Sequence, residues 1–275
     1  MRSTVADVLD RHAVALFDAY GVLVDATGAR PGAAALIARL NAAGRPYFVL
    51  TNDGSRLPAT CAARYQSLGL AIGAEQVIST AGLLPRYYAE HGLAGARTLL
   101  LGPEDARRAI VEGGGEVVTA TEEPDLVVLA DEAFPPLLPR LDDALSAVCR
   151  ALEAGRTPRL VLLNPDLMYP RGDGGFGLTA GSLAGMLEAA WALRFPEAPP
   201  RFVRLGKPHA PIFAEAVRRA GTHDAVLFGD QLETDILGAN RAGLASALVL
   251  GGVSRWPSGA QDAERTPTYV VEGLG

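Results

Sequence analysis

The sequence predicts an α/β fold: a doubly wound parallel-sheet core with a smaller α/β domain inserted into it. Three observations carry this. Short apolar runs alternate with amphipathic stretches along the chain, the pattern of parallel strands covered by helices on both faces. Runs at 14–17, 47–50, 202–205, 225–228 and 247–250 are each followed at once by polar residues or glycine, and parallel sheets bind ligands at those C-terminal ends. The middle third repeats the rhythm with fewer such loops. It reads as a domain over 82–180, inserted into a core of 1–81 and 181–275.

In chain order, Val14–Phe17 is the first strand. Pro31–Ala43 is a helix, with proline near its start and Gly44 as its stop. Tyr47–Leu50 is a strand, Leu57–Leu68 a helix closed by Gly69, and Val77–Ile78 a short strand before a helix over Leu83–Glu90. The insertion holds strands at Arg97–Leu101, Leu126–Leu129 and Leu160–Leu163, with helices at Glu104–Val111 and Leu137–Glu153. Ser182–Leu193 is helical, Phe202–Leu205 a strand, and Pro211–Ala220 a helix ended by Gly221. Ala225–Phe228 and Ala247–Leu250 are the last strands, with a helix over Thr234–Ala242 between them.

Composition narrows the function classes. A chain of 275 residues suggests roughly two domains. With 49% hydrophobic and 20% charged residues it has the material for packed cores, which excludes a disordered chain. A net charge of −6 with no basic run argues against holding a nucleic-acid backbone. No apolar stretch has the length of a membrane helix, and Met1–Asp10 lacks the apolar core of a signal peptide. Cys61 and Cys149 form no CxxC pair, so neither a disulfide framework nor a zinc site is expected. The expected setting is the cytoplasm.

The strand ends carry the chemistry. The first strand runs into Asp18, a carboxylate that suits a nucleophile, a metal ligand or a turn. The second runs into Thr51-Asn52-Asp53-Gly-Ser55, whose hydroxyl and successive N–H groups make an anion cradle or a helix cap. The 202–205 strand runs into Gly206-Lys207-Pro208, which presents a lysine at a helix start, to neutralise phosphate or to sit in solvent. The 225–228 strand runs into Gly229-Asp230 and, five residues on, Asp235. That pair suits a hard cation such as Mg2+, or a helix cap. A nucleophile, an anion cradle, a cation and a Mg2+ site are together the parts of phosphoryl transfer.

With these motifs the chain resembles the haloacid dehalogenase (HAD) superfamily, in its class IIA capped branch of phosphatases. Gly21-Val-Leu23, Leu163-Asn-Pro-Asp166, Gly206-Lys-Pro208, Thr234-Asp-Ile236 and Ala242-Gly243 match as well. The likeness runs from about residue 14 to 255, and its motifs are specific in combination. It implies a Rossmann-like core under an α/β cap and a hydrolase that takes a small phosphorylated molecule. It also implies that Asp18 forms an aspartyl phosphate, that Thr51 and nearby amides, including Asn52 and Asp53, hold phosphoryl oxygens, and that Lys207 offsets charge. Asp18, Asp230 and the Tyr20 carbonyl would hold Mg2+, with Asp235 in support. A homodimer through the cap is expected by the same analogy.

One position departs from the pattern. The family's phosphatases usually place a second Asp two residues after the nucleophile, as general acid and base. Here that position is Tyr20. Its carbonyl still serves a metal, but a phenol, ordinarily titrating near 10, is a poor base at neutrality. General acid–base help is worth about 10²–10⁴-fold, so turnover is expected to be slow and the phosphoenzyme to accumulate. Asp25 and Asp53 stand near enough in sequence to be weighed as substitutes.

Other features are read more plainly. Gly172-Asp-Gly-Gly-Phe-Gly177 spells a dinucleotide-loop string, but no strand precedes it and no helix opens inside it, so a loop is expected. Asn164-Pro-Asp166 suits either a substrate contact or a turn. His12, His91, His209 and His223 have no metal-binding spacing. The competing function is a phosphate-ligand binding or regulatory protein, kept in view by Tyr20. A nicotinamide-dependent oxidoreductase is disfavoured, because the first strand leads to Asp18 and not to a glycine fingerprint.

Overall fold

The computed structural model describes residues 2–171, 174–254, 256 and 263–275. The chain forms two compact units. The first comprises Met1–Thr51, Pro58–Ser79 and Lys207–Gly275, and the second Asn52–Leu57 and Thr80–Gly206.

The first unit is built on a six-stranded parallel sheet. Its spatial order is Tyr269–Val271, Ala245–Val249, Ala225–Gly229, Val14–Asp18, Tyr47–Thr51 and Val77–Ser79. Every residue of Val14–Asp18 and of Ala225–Gly229 is buried, which is why both read as unbroken apolar runs. Phe17 and Phe228 are aligned in register on these neighbours, and their rings stack at 5.1 Å. The strands right of Val14–Asp18 follow it in sequence, while those on its other side come from the C-terminal part. The order in which strands are added therefore reverses between Val14–Asp18 and Ala225–Gly229. In a doubly wound fold that switch point opens a crevice outside the C-terminal strand ends.

The second unit has its own five-stranded parallel sheet, in the order Val203–Arg204, Arg159–Leu162, Leu126–Leu129, Arg97–Leu101 and Glu116–Val118. Two sequence expectations are corrected here. The run at 202–205 does not belong to the core sheet, because Val203–Arg204 pairs in parallel with Val161–Leu162. The insertion also does not end at 180, because helix Ala180–Arg194 packs into the second core through Leu183, Leu187 and Trp191. Trp191 meets Phe202 at 5.7 Å between ring centres. Buried Glu188 on this helix accepts from the Phe202 N–H at 2.9 Å and pairs with Arg204 at 3.0 Å. These contacts tie helix and strand to one unit, and the crossing falls at 206–207.

Helix Leu137–Glu153 lies where expected. The expected helix over Thr234–Ala242 is a helix of Leu237–Arg241, preceded by a wider π-helical turn, Leu232–Ile236. Of the glycine-rich string, Gly172 and Asp173 lie outside the described residues. Its last residues enter strand Phe176–Leu178, which pairs antiparallel with Met168–Pro170. Among the described residues, no helix is long and apolar enough to cross a membrane.

Candidate active site

Asp18 closes the first strand and Asp230 directly follows Gly229, so both carboxylates stand at the switch point of the first sheet. Asp235 comes from the π-helical turn, where its Oδ2 accepts from the Gln231 N–H at 3.1 Å. Ligand oxygens of Asp18, Asp230 and Asp235 lie within 4.8 Å of one another, and all three residues are buried. Lys207 reaches between two of them. Its Nζ donates to Asp18 Oδ1 at 2.5 Å and to Asp235 Oδ1 at 2.6 Å.

The electrostatics follow from three buried carboxylates sharing one ammonium. Burial pushes Asp18 well above the usual carboxylate range, against the pull of Lys207. Burial works against the Lys207 charge, but the Asp18 and Asp235 carboxylates outweigh it and raise its pKa. Asp230 is pushed up to about 7, first by burial and then by Asp235. One Asp230 oxygen, Oδ2, accepts from the Val253 N–H at 2.7 Å. The other, Oδ1, is buried with no hydrogen-bond partner among the described residues. A buried, unpaired carboxylate oxygen costs free energy unless something balances it.

This donor set fits a hard divalent cation: oxygen ligands, two formal negative charges in excess, and one oxygen waiting for a partner. The backbone makes room for these carboxylates. Gly21, at φ +97°, and Gly252 both approach so closely that a Cβ on either would overlap the Asp230 carboxylate. Gly229 stands the same way against Asp235. Sequence reasoning missed Gly252 and the Val253 N–H; the glycine pair Gly251–Gly252 just past the last expected strand was their signal.

The other expected residues divide. Asp18 is in register with Leu50, so buried Thr51 stands one residue further along the neighbouring strand end. Tyr20 is half-buried and bridges to Val24 in the turn after the first strand, where the Gly21 N–H donates to Val24 O at 2.8 Å. Asn52 and Asp53 belong to the second unit. There the Asn52 amide donates to Asp166 Oδ1 at 2.9 Å, and Asp53 accepts from Ser55 at 2.6 Å and pairs with Arg56 at 2.8 Å. Asp25 sits in the Val24–Asp25/Gly28–Ala29 hairpin and accepts from the Thr27 hydroxyl at 2.6 Å, which lowers its pKa.

Comparison with known proteins gives the family. A family model of haloacid dehalogenase-like hydrolases matches residues 15–116, and a HAD-hydrolase-like model matches 204–275. Human chronophin is 30% identical over 99% of this chain and 94% of its own length. D-glycerol 3-phosphate phosphatase of Mycobacterium tuberculosis is 31% identical over 97% of this chain and 71% of its own. The crystal structure of glycerol phosphate phosphatase from that organism, in complex with magnesium, superposes with a TM-score of 0.82 at 28% identity, over 100% of this chain and 78% of that one. A possible sugar phosphatase from Cytophaga hutchinsonii gives 0.83 at 28%, over 100% and 98%.

Proposed function

The chain belongs to the haloacid dehalogenase-like hydrolases, and from that premise we propose that it is a Mg2+-dependent phosphatase of a small phosphomonoester, with Asp18 as its nucleophile. The observation that carries the reading is the buried Asp18–Asp230–Asp235 trio around Lys207, with Asp230 Oδ1 unpaired among the described residues. The relatives' names, a glycerol 3-phosphate phosphatase and a possible sugar phosphatase, support the substrate class. The Asp18 and Asp230 carboxylates and the Tyr20 carbonyl would hold the ion, with Asp235 in support. Bound there, Mg2+ supplies Lewis-acid polarisation and neutralises phosphoryl charge.

The chain's own groups do the rest. The Asp18 carboxylate attacks phosphorus, the bond to the leaving oxygen breaks, and an aspartyl phosphate forms. Lys207, 2.5 Å from Asp18 Oδ1, offsets the charge that gathers there. Thr51 holds phosphoryl oxygens. Water then attacks phosphorus, which frees Asp18 and releases phosphate. The leaving oxygen needs a proton and the attacking water must lose one. Tyr20 can donate a hydrogen bond in the first step but serves poorly as base in the second. Hydrolysis of the phosphoenzyme is therefore the slow half.

The test is phosphate release from aryl, sugar and nucleotide phosphates, with Mg2+, with chelator, and in the Asp18→Asn variant. Release that needs Mg2+ and vanishes in the variant supports the proposal. Equal release by native and variant from every substrate overturns it in favour of a phosphate-binding protein.

A further inference from the structure

The Asn164-Pro165-Asp166 turn takes no part in this chemistry, yet it is held from several sides. The Asp166 N–H donates to Asn164 Oδ1 at 3.0 Å, which locks the turn on itself. The Asp166 carbonyl accepts from the Gly181 N–H at 3.1 Å and from the Thr179 hydroxyl. Gly181 sits so close that a Cβ there would overlap the Pro165 and Asp166 carbonyls. The turn is thus fastened to the start of helix Ala180–Arg194 within the second unit.

What the turn holds is more telling. The chain passes between its two units at 51–52, 57–58, 79–80 and 206–207. Two of these crossings adjoin residues of the proposed mechanism, Thr51 and Lys207. On the second unit's side the adjoining residues are Asn52 and Gly206, and the turn engages both. Asp166 Oδ1 accepts from the Asn52 amide at 2.9 Å. The Asn52 carbonyl is fixed as well, by the Thr80 hydroxyl at 3.2 Å. Gly206 lies against Asn52 Oδ1, the Pro165 ring and Leu163 O, with no space for a Cβ.

We propose that the Asn164-Pro165-Asp166 turn is a positioning device, which fixes the backbone just after Thr51 and just before Lys207 and so sets how these two groups meet a phosphoryl group. Asp166 is its positioning residue, acting through Asn52. The inference rests on the roles proposed for Thr51, which holds phosphoryl oxygens, and for Lys207, which offsets charge at Asp18. Misplacing such groups by about 1 Å costs on the order of 10²-fold.

The experiment measures inorganic phosphate binding by calorimetry in Mg2+, together with kcat and KM for an aryl phosphate, in the native protein and in Asp166→Ala and Asp166→Asn. The alanine variant is expected to weaken phosphate binding and raise KM by about 10–100-fold, with the Mg2+ midpoint unchanged. Asn keeps an oxygen acceptor, neutral in place of charged, so Asp166→Asn should recover to within about fivefold of native. Asn164→Ala, which frees only the Asp166 N–H, should move phosphate binding the same way by less and covers the case of an unfolded Asp166→Ala. Native phosphate affinity in folded Asp166→Ala, or an Asn variant no better than the Ala, overturns the positioning role alone. If the native protein neither binds nor releases phosphate, the proposed function fails and this inference falls with it.

Discussion

Gly21→Ala separates the cation site from ordinary backbone cost. Gly21 has φ +97°, and a Cβ there would overlap the Asp230 carboxylate. Gly28, in the following hairpin, has φ +132° and open space around it. An alanine at either position adopts a disfavoured positive φ, at about 1–2 kcal/mol. For a chain of this size that lowers Tm by roughly 2–8 °C. Only at position 21 does the methyl group also displace a proposed Mg2+ ligand. Disturbing the groups that orient a metal ligand typically costs about 10–100-fold in affinity or activity. The assay is thermal melting across a Mg2+ titration, paired with kcat/KM at saturating Mg2+. Gly28→Ala should melt earlier but keep the native Mg2+ midpoint and rate. Gly21→Ala should melt earlier and shift the midpoint 10–100-fold upward. A Gly21→Ala protein with the native midpoint and rate would refute the argument that this glycine makes room for a working Asp230.

Further predictions concern charge and the role of Tyr20. In chelator, Asp230 titrates near 7 in the folded protein, above its ordinary 3.8. A raised carboxylate pKa contributes stability that is present below about 3.8 and lost as pH rises through about 7, a loss of at most about 4 kcal/mol. Melting of the native protein in chelator should therefore fall relative to Asp230→Asn between pH 4 and 8, and saturating Mg2+ should remove the difference. Glu215 is pushed up by burial, but its hydrogen bonds to Arg218 and Arg219 win and hold it down at about 2, below 4.5. Its contribution is present above about 4.5 and fades as pH falls through about 2, so the stability lead of native over Glu215→Gln should shrink across that window in pH-resolved melts. In the proposed mechanism Tyr20→Asp would supply an acid and base, and steady-state kinetics should show kcat rising by about 10²–10⁴-fold.

The candidate site was legible because of the way buried parallel strands are written. Val14–Phe17 and Ala225–Phe228 are covered on both faces and appear as unbroken apolar runs, so the first polar residue after each, Asp18 or Asp230, marks a ligand-facing strand end. That logic names the strand end without naming the sheet. Phe202–Leu205 reads as a strand like those of the core, and its pairing with Arg159–Leu162 and the Glu188 contacts from the preceding helix assign it to the second unit. The two short hairpins escaped for a related reason: their strands span only two or three residues, too few to show a period. The commitment of the Asn52 and Asp53 side chains to Asp166, Ser55 and Arg56 was invisible because the partners come partly from over a hundred residues away. Gly252 and the Val253 N–H matter through their closeness to Asp230; the Gly251–Gly252 pair marks a special backbone there without naming Asp230 as the neighbour.

The central claim is that Asp18 is phosphorylated during turnover and that Tyr20 leaves this species long-lived. Acid quenching of the native protein with an aryl phosphate and Mg2+, followed by intact mass and peptide mapping, tests it directly. The account predicts a hydroxylamine-labile phosphate on the peptide containing Asp18, absent in Asp18→Asn and depleted in Tyr20→Asp. Phosphate release with no trapped phosphoenzyme on Asp18 in the native protein, or with the label on another residue, would contradict it.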